Sequence, residues 1–385
     1  MTGFTFSTTP KLIYAAGAAA EFASHTDLLG DRILIVTDPG IVKLGLHEAA
    51  LNSLKKAGKD ISVFDAVEAD PSEAIVERAT SQAIAHKATG VVGFGGGSSM
   101  DVAKLVALLA LGEEKLSDIY GIEMIKGKRL PLVQVPTTAG TGSEVTPISI
   151  ITVGAETKKG VVSSKLLPDL TILDADLTLG LPPAVTAATG VDAMVHAIEA
   201  YTSRGANNNP MSATLAKEAL RLLGSNIRTA VSDGSNREAR AEMLLGACLA
   251  GQAFANSPVA AVHALAYPIG GIFHVPHGLS NALVLPEVMK FNSVACAKEY
   301  AELAPIVFPE MDCSGGAQEI AALFTENLAQ LNKDLGLETT LREVGVTADD
   351  LDRLADAAME QTRLLVNNPR EVTREDAYNI YKATL

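Results

Sequence analysis

The chain has 385 residues, 48% of them apolar and 20% charged, with a formal net charge of −14. The length is long for one hydrophobic core and the composition is that of an ordinary folded protein, so two domains are expected and a disordered chain is excluded. The acidic balance argues against nucleic acid or an anionic membrane surface as a partner.

The opening MTGFTFSTTPKL has neither the basic segment nor the apolar core of a secretory signal. Cys248, Cys296 and Cys313 show no paired spacing, which suits reduced thiols and a cytoplasmic location. After a short leading segment, strand-like and helical runs alternate. DRILIVTD, KDISVFDAV, TGVVGFGGG and LPLVQVP read as strands, with helical runs IVKLGLHEAALNSLKKAG, SEAIVERATSQAIAHKA and SMDVAKLVALLAL between them. Such alternation predicts a parallel sheet whose ligands bind beyond the carboxyl ends of the strands.

Those ends carry the informative loops. Gly95-Gly96-Gly97-Ser98-Ser99 joins a strand to a helix opening near Asp101. Its glycines would let the backbone approach a pyrophosphate and its helix would offer free N–H groups, although a plain tight turn has the same composition. It is neither a Walker loop nor a GxGxxG turn after the first strand. A second loop runs from Pro136 to Glu144 with Thr137, Thr138, Thr141 and Ser143, suited to a ribose or phosphate or to a helix cap. Asp38 ends the first strand, where a carboxylate can hold ribose hydroxyls or begin an Asp-Pro turn. From Pro147 to Asp176, PISIITV, KKGVVSS and DLTILDAD read as short strands of a ribbon beside the main sheet, with Lys158 and Lys159 between cofactor contact and turn charge.

Leu181-Pro182-Pro183 reads as a boundary, giving expected domains 1–180 and 181–385. Beyond it helical runs dominate. AVTAAT and VDAMVHAIEAYTS place Asp192 four residues before His196, so both side chains share one helix face. A later helical run, expected to break at Pro268, Gly270 and Gly271, carries His263, and a second run opens near His277. No Lys, Arg, Asp or Glu occurs between Met243 and Pro286, yet three of the seven histidines do. Imidazoles in so apolar a stretch need partners, and a shared ion supplies one. One carboxylate and three imidazoles without a thiolate suit Fe(II), Zn(II) or Mn(II) rather than Cu(I). His25, His47 and His86 lie elsewhere and read as surface residues.

GVDAMVHAIEAY and HALAYPIGGIFHVPHGLSNALVLP resemble the two signature regions of the iron-containing (group III) alcohol dehydrogenase family, and the likeness runs from KLIYAAGAA to NNPREVTREDAYNIYKATL. The resemblance implies an α/β fold in which a parallel-sheet dinucleotide-binding domain precedes an all-helical metal-binding domain, as in dehydroquinate synthase. It implies Asp192, His196, His263 and His277 as ligands of Fe(II), with Zn(II) as substitute. It further implies NAD on Asp38, Gly97, Ser98, Thr138, Thr141 and Lys159, with Asp101 on the helix behind the first loop, and Gly96, Thr137 and Ser143 of the same two loops are expected to share in holding it. Lys104 also follows the family pattern, whereas Asp70 stands where the family more often has Asn. The implied reaction interconverts a small neutral alcohol or diol and its aldehyde, in a homodimer or larger homo-oligomer. Many relatives carry a histidine at the position of Tyr267, often considered the proton carrier, and here His274 is the candidate relay while Tyr267 packs or orients. A lyase of the dehydroquinate synthase type, a maleylacetate reductase and a non-catalytic NAD-binding module are the competing readings.

Overall fold

The computed structural model describes residues 3–154 and 157–385; Met1 and Thr2 of the opening segment lie outside it. The chain forms two compact units, Ser7–Leu179 and Gly180–Leu385, and the residues through Phe6 group with the second.

In the first unit, β1 (Leu12–Tyr14), β2 (Arg32–Val36), β3 (Asp60–Phe64), β4 (Gly90–Gly95), β6 (Leu132–Pro136) and β9 (Leu170–Leu173) build one six-stranded sheet. Its order is β1-β9-β6-β4-β2-β3, and every neighbouring pair runs parallel. Side chains alternate across it: Leu34 and Val36 enter one apolar cluster, Ile33 and Ile35 the other. The period of two buries both faces under α1 (Phe22–His25), α2 (Pro39–Leu44), α3 (Glu48–Lys56), α4 (Glu73–Ala85) and α5 (Gly97–Leu109). β5 (Gly121–Ile122), β7 (Ile148–Val153) and β8 (Thr157–Val162) form a small second sheet, with β7 and β8 antiparallel.

Three expectations change here. DLTILDAD is not part of the ribbon: its β9 is inserted between β1 and β6 of the main sheet. All four of its residues are buried, as a two-faced central strand requires. The leading segment also contributes a strand, the edge strand β1. His47 is likewise not a surface residue. Gly45 (φ 68) ends α2 in the left-handed conformation, and the chain turns there to bury His47 at the start of α3.

The second unit is helical: α6 (Pro183–Thr202), α7 (Pro210–Ser232), α8 (Arg237–Asn256), α9 (Ala261–Phe273), α10 (His277–Val307), α11 (Ala317–Asp334), α12 (Leu351–Met359), α13 (Thr362–Leu365) and α14 (Arg374–Thr384). The two runs on either side of Gly190 fuse into the single helix α6. Every residue of α6 from Gly190 to Ala200 is buried, so it is the axial helix of the unit rather than an amphipathic surface one. Buried Arg240 pins its start, donating to Thr186 Oγ1 at 2.7 Å and to the Leu181 carbonyl at 3.1 Å. Thr5 exchanges two hydrogen bonds with Asn207, at 2.9 and 2.8 Å, which ties the leading residues to this unit. Among the described residues no single helix is long and apolar enough to cross a membrane.

Candidate metal centre and dinucleotide loops

Asp192 and His196 project from α6, His263 from α9 and His277 from the first residue of α10. The expected break at Pro268, Gly270 and Gly271 does not occur. Proline withholds only one N–H from the ladder, and α9 continues to Phe273. The helix ends at His274, whose φ of 57° is left-handed, and Val275-Pro276 then turns the chain into α10. α10 meets α6 closely: a Cβ at Gly278 would overlap the Ala188 carbonyl and lie 3.2 Å from Asp192 Cβ. Glycine at this one position is what lets His277 and Asn281 reach Asp192.

One donor atom from each of Asp192, His196, His263 and His277 lies within 4.8 Å of the others. Donors held at about 2.0–2.2 Å from a single ion stand at most about 4.4 Å apart, so the set is close to a coordination cage. Asp192 Oδ1 lies 3.6 Å from His277 Nε2 and 3.9 Å from His263 Nε2. His196 stacks between Phe254 and His263, with ring centroids 4.4 and 4.7 Å away. Asp192, His196 and His263 are buried, whereas the His277 side chain is 40% exposed and leaves one open side. Burial pushes the Asp192 carboxyl upward, but His196, His277, His263 and the Asn281 amide outweigh it and hold the group below its ordinary range.

Sequence reasoning missed two residues of this cluster. Asn281 Nδ2 donates to Asp192 Oδ1 at 2.6 Å and lies 3.3 Å from the Nε2 atoms of both His263 and His277. Two amide hydrogens among three acceptors leave a surplus of lone pairs, and a cation satisfies such a surplus; the donor set fits a divalent metal. Buried Glu199 lies 2.6 Å from His263 Nδ1 and accepts the Val262 N–H at 2.7 Å. Both were visible in principle: Glu199 is seven residues after Asp192, and Asn281 four after His277, each on the same helix face as a candidate ligand.

Tyr267 packs its ring on His277, centroids 5.7 Å apart. His274 is exposed and outside the donor set.

In the sheet unit, β2, β4 and β6 are neighbours, so the loops after them meet. Asp38 caps α2 by accepting the Ile41 N–H at 3.1 Å, and its other oxygen receives Ser99 Oγ at 3.4 Å. Gly95 (φ 150) lies beneath both, with room for no side chain. Gly96 caps α5. Gly97 abuts Thr141, where a Cβ would come within 2.9 Å of its methyl, and Thr138 lies beyond Gly96. Ser98 and Thr138 are half-buried, while Thr137 is buried and its N–H donates to the Gly95 carbonyl at 3.0 Å.

Asp101 and Ser143 are occupied otherwise. Ser143 Oγ donates to Asp101 at 2.5 Å and receives buried Lys104 at 2.7 Å, while the second Asp101 oxygen accepts the Ile150 N–H at 2.8 Å. These side chains brace the two loops from behind. Burial lowers the Lys104 ammonium, opposed by the nearby Asp101 carboxylate. Lys159 is exposed over the Tyr120 ring, 5.2 Å from its centroid. Its neighbour Lys158 pairs with Asp70, whose φ of 54° accounts for Asn or Asp at that turn.

A glycine-lined parallel-sheet loop pair and a buried histidine–carboxylate cluster on a helical bundle are the parts of a nucleotide- and metal-dependent enzyme. Residues 9–175 match the family model for iron-containing alcohol dehydrogenase, and residues 186–385 match that for the C-terminal part of the same family. The chain is 40% identical to long-chain-alcohol dehydrogenase 1 of Geobacillus thermodenitrificans, covering 95% of this chain and 93% of that protein. A solved 1,3-propanediol oxidoreductase superposes with a TM-score of 0.95 at 33% identity, covering 100% of both chains. Sulfoacetaldehyde reductase from Bifidobacterium kashiwanohense, solved with NAD+, superposes with a TM-score of 0.86 at 28% identity, over 100% of this chain and 99% of that one. The chain belongs to the iron-containing alcohol dehydrogenase family. It is an oxidoreductase of that class, a family that uses NAD and iron, and its four-donor group is one that could hold a metal ion.

Proposed function

We propose that this enzyme interconverts a small neutral primary alcohol or diol and its aldehyde with NAD(H), using one divalent ion on Asp192, His196, His263 and His277. The observation that carries this reading is the convergence of those four donors within 4.8 Å, with three of the four residues buried. When bound, iron supplies Lewis-acid polarisation of the substrate oxygen and NAD supplies the hydride acceptor. The helical unit, Gly180–Leu385, is the metal-binding one, and the sheet unit, Ser7–Leu179, holds the dinucleotide.

Within that reading, the α5 N-terminus with Gly96, Gly97 and Ser98 receives the pyrophosphate, and Thr137, Thr138 and Thr141 line its other side. Asp38 holds adenosine ribose hydroxyls, and Lys159 is free to swing to the cofactor. Asp101 and Ser143 serve by keeping the two loops in register. The uncharged stretch from Met243 to Pro286 offers no clamp for an anionic group, which favours a neutral substrate over a sulfonate. The relative named for 1,3-propanediol supports a small neutral diol, and the one named for long-chain alcohols supports an uncharged alcohol without supporting its small size. The exposed edge strand β1, with Tyr14 at 41% exposure, supports assembly into a homodimer or larger homo-oligomer.

His274 relays the proton released when alcohol becomes carbonyl, and Tyr267 orients His277 through ring packing. The place of His274 in the turn three residues before His277 supports the relay, whereas its exposure suits the competing reading, in which the proton leaves to water directly. His274→Ala is expected to lower turnover roughly a hundred-fold, the scale of losing a general base, at unchanged metal content. Tyr267→Phe keeps the ring and should retain most activity. Wild-type turnover in His274→Ala would assign proton release to water instead.

A further inference from the structure

We infer that Glu199 is a positioning residue that fixes which ring nitrogen of His263 faces the donor cluster, and at the same time docks α9 onto α6. The inference rests on the four-donor metal reading above.

Its two carboxylate oxygens do separate things. Oε1 accepts the N–H of Val262 at 2.7 Å, in the first turn of α9, whose own N-cap residue Ala260 makes no side-chain cap. Oε2 lies 2.6 Å from His263 Nδ1. An ionised carboxylate only accepts, so the proton of a neutral His263 sits on Nδ1 and the Nε2 lone pair is left for the cluster. Nε2 is the atom that faces Asp192 Oδ1 and Asn281 Nδ2. Asp192, His196 and Glu199 lie at i, i+4 and i+7 of α6. One helix face therefore carries two of the four candidate ligands and the group that orients a third. Glu199 is buried beside these imidazoles, an expensive place for a carboxylate that does nothing.

Glu199→Gln separates the two duties with almost no change of shape. The Gln amide has one acceptor and one donor end, and Val262 and His263 both require an acceptor. The Val262 peptide N–H cannot move its proton, whereas an imidazole can. The Gln oxygen is therefore expected to stay on Val262 while its NH2 faces Nδ1. That moves the His263 proton to Nε2, where it points into the cluster and blocks coordination.

The test uses the full chain, stripped of metal and titrated with Zn(II) against a chromophoric chelator, together with 15N NMR of histidine ring nitrogens in the ion-free protein. Wild type is expected to show the Nδ1–H tautomer at His263. Glu199→Gln should show Nε2–H, bind Zn(II) about 10–100-fold more weakly, and bind NAD as wild type does. Zn(II) affinity within two-fold of wild type, or an Nε2–H tautomer in the wild type, would overturn the inference. The tautomer measurement needs no variant, so a poorly folding Glu199→Gln still leaves a decisive result. A wild type with the Nδ1–H tautomer that binds no Zn(II) would instead contradict the four-donor reading.

Discussion

Asp38 shows how one side chain serves two purposes at residue scale. One oxygen caps α2 and the other receives Ser99, so the carboxylate is fixed at the end of β2. A 2′-phosphate about 4 Å from it would meet a repulsion of roughly 1–4 kcal/mol, about a five-fold to several-hundred-fold discrimination against NADP. Glycine at an N-cap costs only a few tenths of a kcal/mol, so Asp38→Gly tests the charge rather than the fold. The ratio of kcat/KM for NADP over NAD should rise in the variant, and equal use of both cofactors by the wild type would reduce Asp38 to a turn residue. The same two contacts explain why sequence alone left Asp38 between ribose binding and turn formation, since an Asp-Pro N-cap and a ribose carboxylate share one signature. His263 and His277 stood out because imidazoles are conspicuous in an uncharged stretch, and His196 because it follows Asp192 by four residues on one helix face. Glu199 and Asn281 did not, since a carboxylate or amide on a helix is usually a surface or capping group until its partner across the fold is seen.

At the scale of elements, the metal cluster depends on how near α10 can come to α6. Gly278 faces the Ala188 carbonyl with no room for a methyl group. Gly278→Ala should therefore push the start of α10 outward at a cost of about 1–3 kcal/mol, and carry His277 and Asn281 away from Asp192. A lower thermal midpoint and weaker Zn(II) binding are expected together; unchanged affinity would show that the approach of the two helices does not set the site. Element identity was largely readable, because periods of two and of 3.6 separate the sheet unit from the helical one. Element ends were not. Pro268 inside α9 looks like a terminator, yet a buried helix tolerates one missing hydrogen bond, and the stop came from the backbone of His274 instead. β9 was misread as ribbon because it lies just beyond the β7–β8 hairpin, whereas its partners are β1 and β6, distant in sequence.

For the molecule as a whole, the sequence divides the labour between a sheet unit built for phosphate and ribose and a helical unit built around buried imidazoles. The long-range pairing of β1 with β9 and the strap from Thr5 to Asn207 were not legible, because non-local contacts leave no periodic trace. The central claim is that activity requires one ion on the four-donor cluster. It is tested by stripping the protein of metal, restoring Fe(II) or Zn(II) in known amounts, and following NADH formation from NAD and 1,3-propanediol or a simple primary alcohol. Turnover should vanish in the stripped protein and return in proportion to bound metal, saturating at one ion per chain, and His263→Ala or His277→Ala should lose metal and turnover together. Full turnover by the metal-free protein would contradict the account.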